Sequence, residues 1–155
     1  MVAGVSNLGV TFGYGVETTA GSKPETFTKL TRINKITGIS VEPEKIDASA
    51  LEDSSTKNIA GRDTVSDTMT VTVNTTDATI TEWEGVITAY QALTGGKRMW
   101  FEIITPGITK AEFVVATPPT HLPISDKEQN SLNTMDINLT VEDFIGFDTK
   151  VAITP

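Results

Sequence analysis

From Val65 to Thr117 the chain reads VSDTMTVTVNTTDATITEWEGVITAYQALTGGKRMWFEIITPGITKAEFVVAT. Three patterns succeed one another in it. Met69, Val71 and Val73 alternate with Thr68, Thr70, Thr72 and Asn74, and a period of two puts the apolar set on one face of a half-buried strand. Trp83, Val86, Ile87, Tyr90 and Leu93 then form one apolar stripe, which predicts a helix over about Glu82 to Leu93. Thr81 and Glu84 have capping-box spacing at its start, and Gly95-Gly96 end it. Two β-rich runs follow, Met99 to Thr105 and Ala111 to Thr117. The Pro106-Gly107-Ile108-Thr109-Lys110 link between them predicts a hairpin. Adjacent apolar residues in both arms (Trp100-Phe101, Ile103-Ile104, Phe113-Val114-Val115) predict that both its faces are covered.

Outward from this block, Met135, Ile137, Leu139 and Val141 alternate with Asp136, Asn138, Thr140 and Glu142, a second half-buried strand. Phe12 to Tyr14, Thr26 to Leu30 and Ile36 to Val41 are shorter strand candidates. The glycines beside Phe12 and Tyr14 suggest a bent or edge strand. Strands, one helix, then strands make an α+β, mostly antiparallel domain with one flanking α-helix. Two long connections interrupt it. EPEKIDASALEDSSTKNIAGRDT, Glu42 to Thr64, has scant periodicity, yet it spaces Ile46, Leu51 and Ile59 among charges as a docking segment would. Pro118 to Asn133 is the other. The tail from Phe144 to Thr154 carries Phe144, Ile145, Phe147, Val151 and Ile153, more apolar than a solvated terminus.

Length and composition bound the function. A chain of 155 residues and 16.6 kDa is one domain, 1–155, and when compact exposes about 7,600 Å². Its 38% of apolar residues predicts a modest core, and threonine, its commonest residue, suits pleated surfaces that stay wet. With no cysteine there is no disulfide, zinc ribbon or thiol nucleophile. A net charge of −8 argues against gripping a phosphate backbone. No apolar run is long enough to span a membrane as a helix, and MVAGVSNLGV lacks the pattern of a signal peptide. The single histidine, His121, sits in a Pro-rich connection and reads as a loop residue rather than a base. Carboxylates alone remain as metal ligands, and no calcium-loop spacing occurs. GVTFGYG, Gly9 to Gly15, lacks the order of a phosphate-binding loop. Neither catalytic nor metal-binding residues, nor any cofactor, are expected.

Laid end to end, the pieces resemble the major tail tube protein of long, flexible-tailed (siphophage-type) bacteriophages. The resemblance covers about Leu8 to Phe144. It rests on an early aromatic strand (GVTFGYGVET) before the Thr-rich ETFTKLTRINKITGIS, and on the long loop with its pattern E-x-I-D, L-E-D, K, I-A-G-R-D. It rests also on the single helix WEGVITAYQALTGGK running into RMWFEI, and on the closing strand MDINLTVEDF. The order and spacing carry it rather than any one motif. The resemblance implies a β-sandwich or barrel-like domain that forms homohexameric rings, stacked into a hollow tube in the virion tail. It implies as partners further copies of the chain, a tape-measure protein, and tail terminator and tip proteins, with DNA passing through the lumen unbound. It also implies that residues 42–64 form an inter-subunit loop. Ile46, Leu51 and Ile59 would then be apolar anchors, and Asp47, Glu52, Asp53, Lys57, Arg62 and Asp63 polar partners. The amino-terminal segment and the tail, 144–155, are further contact candidates. Two alternatives stand beside it. One is a small β-sandwich module binding glycan or protein through Trp100, Tyr14 or Tyr90. The other is the tube of a contractile tail or secretion system.

Overall fold

The computed structural model describes residues 4–154; Met1 to Ala3 of the amino-terminal segment, and Pro155 of the tail, lie outside the described residues. In chain order the elements are β1 (Thr11–Val16), β2 (Phe27–Leu30), β3 (Ile33–Ile36), β4 (Val41–Asp47), β5 (Asn58–Val65), β6 (Thr68–Asn74), α1 (Asp77–Gln91), β7 (Met99–Ile104), β8 (Lys110–Thr117), β9 (Thr134–Thr149) and β10 (Ile153–Thr154). Eight strands form one sheet in the order β10-β2-β1-β7-β8-β9-β6-β3, antiparallel except for the β10–β2 pair, while β4 and β5 form a sheet of their own. The architecture is the expected α+β, barrel-like one.

The sheet is forced to curl. β2 and β3 stand six strand spacings apart in its order, about 29 Å if flat. Only Thr31 and Arg32 separate Leu30 from Ile33, a reach of at most about 11 Å. The edges must therefore approach, and the result is a half-barrel. The corner is tied on both sides. The Arg32 carbonyl accepts from Asn74 N at 3.0 Å, and Thr31 Oγ1 donates to both Glu82 carboxylate oxygens, at 2.8 and 2.9 Å. Arg32 itself sits at φ 56°.

One face of the sheet holds the main core: Phe12, Met69, Val71, Val73, Met99, Phe101, Val114, Met135, Ile137 and Leu139, closed by Trp83 and Val86 of α1. Phe12 meets Trp83 and Phe101 edge-on, at 6.4 and 5.5 Å between centroids. Over β1, β7 and β8 the other face carries a second cluster of Phe27, Trp100, Ala111, Phe113 and Val115. Val151 and Ile153 of the last segment pack across it like a strap, so the β7–β8 hairpin is covered on both faces as its sequence predicts. Over β6 and β9 the same face is bare threonine, asparagine and carboxylate. Thr70 bonds Asn138 and Thr72 bonds Asp136, each at 2.7 Å.

The structure corrects several expectations. The helix begins five residues early, at Asp77: Thr76 is its N-cap, and Thr79 completes a capping box with a hydroxyl where the sequence signature looks for a carboxylate. Ile36 to Val41 is not one strand; Ile36 ends β3, and Thr37 turns its amide and hydroxyl to Thr70. β1 is interior, not an edge. Its glycines allow close approach, since a Cβ on Gly15 would lie 2.6 Å from the Thr26 carbonyl and one on Gly13 2.8 Å from that of Thr28. The tail from Phe144 is mostly strand, because β8 supplies ladder partners as far as Lys110↔Thr149; two register shifts break the alternation that would have shown it. The long loop from Glu42 to Thr64 is a β-hairpin.

If Glu82 ties the corner, Glu82→Ala removes a charged hydrogen-bond acceptor from Thr31 and lowers stability by about 1.5–3 kcal/mol. A urea midpoint unchanged by the substitution would show that the corner closes without it.

Candidate functional site

The β4–β5 hairpin is built to project. Ser40 and Ser66 clasp its base: Ser40 N donates to Ser66 Oγ at 3.1 Å, Ser66 N to the Ser40 carbonyl at 3.1 Å, and the two hydroxyls lie 3.0 Å apart. Beyond the clasp every residue of β4 is exposed, as are all of β5 except Gly61 and Val65. Seven residues of β4 at about 3.3 Å each carry the tip some 23 Å from the base. The accessible surface of 10012 Å² exceeds the about 7,600 Å² of a compact monomer of this mass, as a projecting arm requires.

The hairpin brings some of the candidate residues together and separates others. Ile46 and Ile59 are direct cross-strand partners, 48% and 56% exposed, and form one apolar patch. The Ile46 side chain also covers Gly61, where an added Cβ would lie 3.1 Å from its Cδ1. Leu51 stands apart in the tip, fully exposed. Asp47 and Asp53 shape the turn. Asp47 Oδ1 accepts from Ser49 N at 2.9 Å, which holds its carboxyl below the ordinary aspartate value, and Asp53 Oδ2 accepts from Ala50 N at 2.8 Å. Lys57 N donates to Ser49 Oγ at 2.7 Å. Asp63 faces Pro43 across the ladder, beside a register shift between Pro43 and Lys45. Among the described residues no ion pair involves Glu52, Arg62 or any other hairpin residue. These charges end in solvent.

A groove of about 660 Å³ opens near the root of the hairpin. Its walls are β3 with the β3–β4 connection, the segment before β1, and parts of β7, β8 and β9. They mix apolar side chains with the polar Asn7, Asn34, Thr37 and Thr105 and the charged Lys35 and Glu112. Leu8, Phe144 and Phe147 on them are exposed, and sequence reading did not connect these residues with one another.

Two buried carboxylates also escaped the sequence, since nothing in their local context marks them. Glu17 has every neighbour it needs: Trp100 Nε1 donates to it at 2.7 Å, Arg98 N at 2.8 Å and Gly21 N at 3.0 Å. Desolvation pushes its pKa up, but these bonds and the Arg98 guanidinium together outweigh it and hold the carboxyl below its usual value. Glu102 lies under the strap. Its Oε2 accepts from Val151 N at 2.9 Å, Oε1 has no partner among the described residues, and desolvation raises its pKa against that bond and the nearby Lys23 and Lys150. Both serve to hold segments of chain. His121 is exposed in its connection, and no group of three His, Asp or Glu able to hold a metal occurs among the described residues. Trp100 is buried, while Tyr14 and Tyr90 are half-buried against the main core, so the three present no exposed aromatic platform.

No protein-family profile and no curated protein matches this chain. Among solved structures, its fold is similar to that of a chain in the cryo-EM structure of the anti-feeding prophage baseplate, six-fold symmetrised. The TM-score is 0.60 at 11% sequence identity, over 92% of this chain and 95% of that one. The likeness is one of fold, and it extends over nearly the whole of both chains.

The two carboxylates respond oppositely to pH. Glu17, with its lowered pKa, contributes stability above the unfolded value of about 4.3 that is lost as pH falls through its folded one. Glu102, raised, contributes below the unfolded value and loses that contribution as pH rises through its folded one. Glu17→Gln therefore lowers the Tm at neutral pH and Glu102→Gln raises it, and both differences shrink in acid. Thermal melts in which the two variants shift the same way at neutral pH would refute the assignment.

Proposed function

We propose that this chain is a structural subunit of a phage-type tail, the tail tube protomer. It assembles into homohexameric rings that stack into a hollow tube in the virion. The observation that carries this reading is the hairpin, an arm about 23 Å long that buries none of its own apolar residues. A soluble monomer gains nothing from such an arm, whereas head-to-tail contacts between copies use it to close rings and stack them. The fold likeness to a subunit of a six-fold-symmetrised prophage particle supports the same conclusion.

Within this reading the bare face of β6 and β9 is the wall of the bore. Thr68, Thr70 and Thr72 with Asp136, Asn138, Thr140 and Glu142 give a wet face with carboxylates and no cation on these two strands, against which DNA slides rather than sticks. The partners are other copies, a tape-measure protein, and the terminator and tip proteins of the tail. Nothing in the reading calls for catalysis, a cofactor or a metal. A second reading has one observation in its favour: the similar fold belongs to a baseplate, which would place this subunit in a ring at the end of a tube rather than along its shaft. Shaft subunits polymerise without fixed length; a baseplate subunit stops at a ring.

Replacing Lys45 to Arg62 by a short Gly-Ser linker tests the role of the arm. The shortened protein is expected to keep the melting transition of the parent and to remain monomeric in sedimentation, while the parent forms rings or uniform hollow tubes in negative-stain electron microscopy across a concentration series. Normal tubes from the shortened protein would remove the arm from assembly. A bore with net positive charge, seen in a reconstruction of the tube, would remove the β6–β9 face from the lumen.

A further inference from the structure

The fold leaves open an edge beside the groove at the root of the hairpin. β8 pairs with β9 from Thr140 to Thr149, whereas β6 covers β9 only from Thr134 to Thr140. The bond from Val141 N to the Asp67 carbonyl, 2.9 Å, marks where that side ends, because at Ser66 and Asp67 the chain leaves the sheet to make the hairpin. From Glu142 to Thr149 one side of β9 thus carries no ladder among the described residues. The groove borders this stretch, with Phe144, Phe147 and Leu8 exposed by 36%, 61% and 87%.

An open edge beside exposed apolar side chains suits an extended strand, which gains backbone hydrogen bonds from the edge and side-chain contacts from Leu8, Phe144 and Phe147. The hairpin has the matching features. Among the described residues each of its strands has a free outer edge, Ile46 and Ile59 form an exposed apolar pair, and a two-stranded sheet by itself is only marginally stable.

We infer that the groove and the open edge of β9 are the seat for the hairpin of a second copy, with Ile46 and Ile59 of one chain against Phe144 and Phe147 of the next. The inference rests on the assembly reading above and names the surface that receives the arm. Donor and receiver are different patches, so a bound pair still offers one free hairpin and one free groove, and the contact propagates into a ring or a filament.

The absence of cysteine makes the contact directly testable. Chains carrying Ile59→Cys are mixed with size-tagged chains carrying Phe147→Cys and oxidised mildly. The expected product is a covalent one-to-one heterodimer, absent when the second cysteine is instead Thr140→Cys on the polar face. No 59–147 bond, or one no more abundant than the control, overturns the inference. So does a bond found only within a single chain carrying both substitutions, which would mean that the arm folds onto its own groove. Charged variants separate this inference from the assembly reading. Ile59→Asp and Phe147→Asp, both at exposed positions and checked by their melting curves, are each expected to block polymerisation alone and to form only heterodimers when mixed. A parent that makes rings while Phe147→Asp makes them equally well would overturn the groove and leave the tube standing. A 59–147 bond in a parent that stops at dimers would do the reverse.

Discussion

Two residues, Thr31 and Arg32, set the shape of the molecule. They join strands that lie near opposite edges of the eight-stranded sheet, and a chain that short leaves the sheet no flat solution. On one side of the curled sheet α1 closes the main core with Trp83 and Val86, and Ile39 and Leu122 of the connections pack beside it. The same helix holds the corner through Glu82. Curl, core and helix position are thus one solution to one problem of reach.

Among the described residues no second helix covers the opposite side of the sheet, and the chain divides it. Over β1, β7 and β8 it is apolar and is covered by the strap of residues 150–154, held by the Val151 N–H on Glu102 and by the β10–β2 pairing. Close packing there requires Gly13, because a side chain at that position would run into both the Thr28 carbonyl and Ile153. Over β6 and β9 the face is polar and stays wet. One sheet therefore carries three environments, dry core, strapped patch and open polar wall. The boundaries between them follow the alternation of side chains along each strand.

The legible parts of the sequence are those where one face is buried. β6 and the first half of β9 show clean alternation, and α1 shows its stripe, because burial selects residue type at the matching period. The β4–β5 hairpin was illegible as secondary structure for the converse reason. Both of its faces meet solvent, so nothing enforces an apolar period, and Val41 to Val65 looked like a loop. Its apolar residues were visible as misplaced, but not that Ile46 and Ile59 sit opposite one another, which the register alone decides. The groove residues Leu8, Phe144 and Phe147 come from distant parts of the chain and share no pattern.

By itself the sequence determined the class of fold, the one helix, the doubly covered hairpin and a long segment that did not belong to the core. Each is a local consequence of which side chains water excludes, and a period of two or about 3.6 reports it directly. Tertiary structure alone decided how the sheet curls, which carboxylates are buried, where β9 runs out of partners and which surfaces lie beside that open edge. Those depend on strand order and on contacts such as Trp100 with Glu17 across 83 residues, and periodicity within a segment carries no information about segments it will meet.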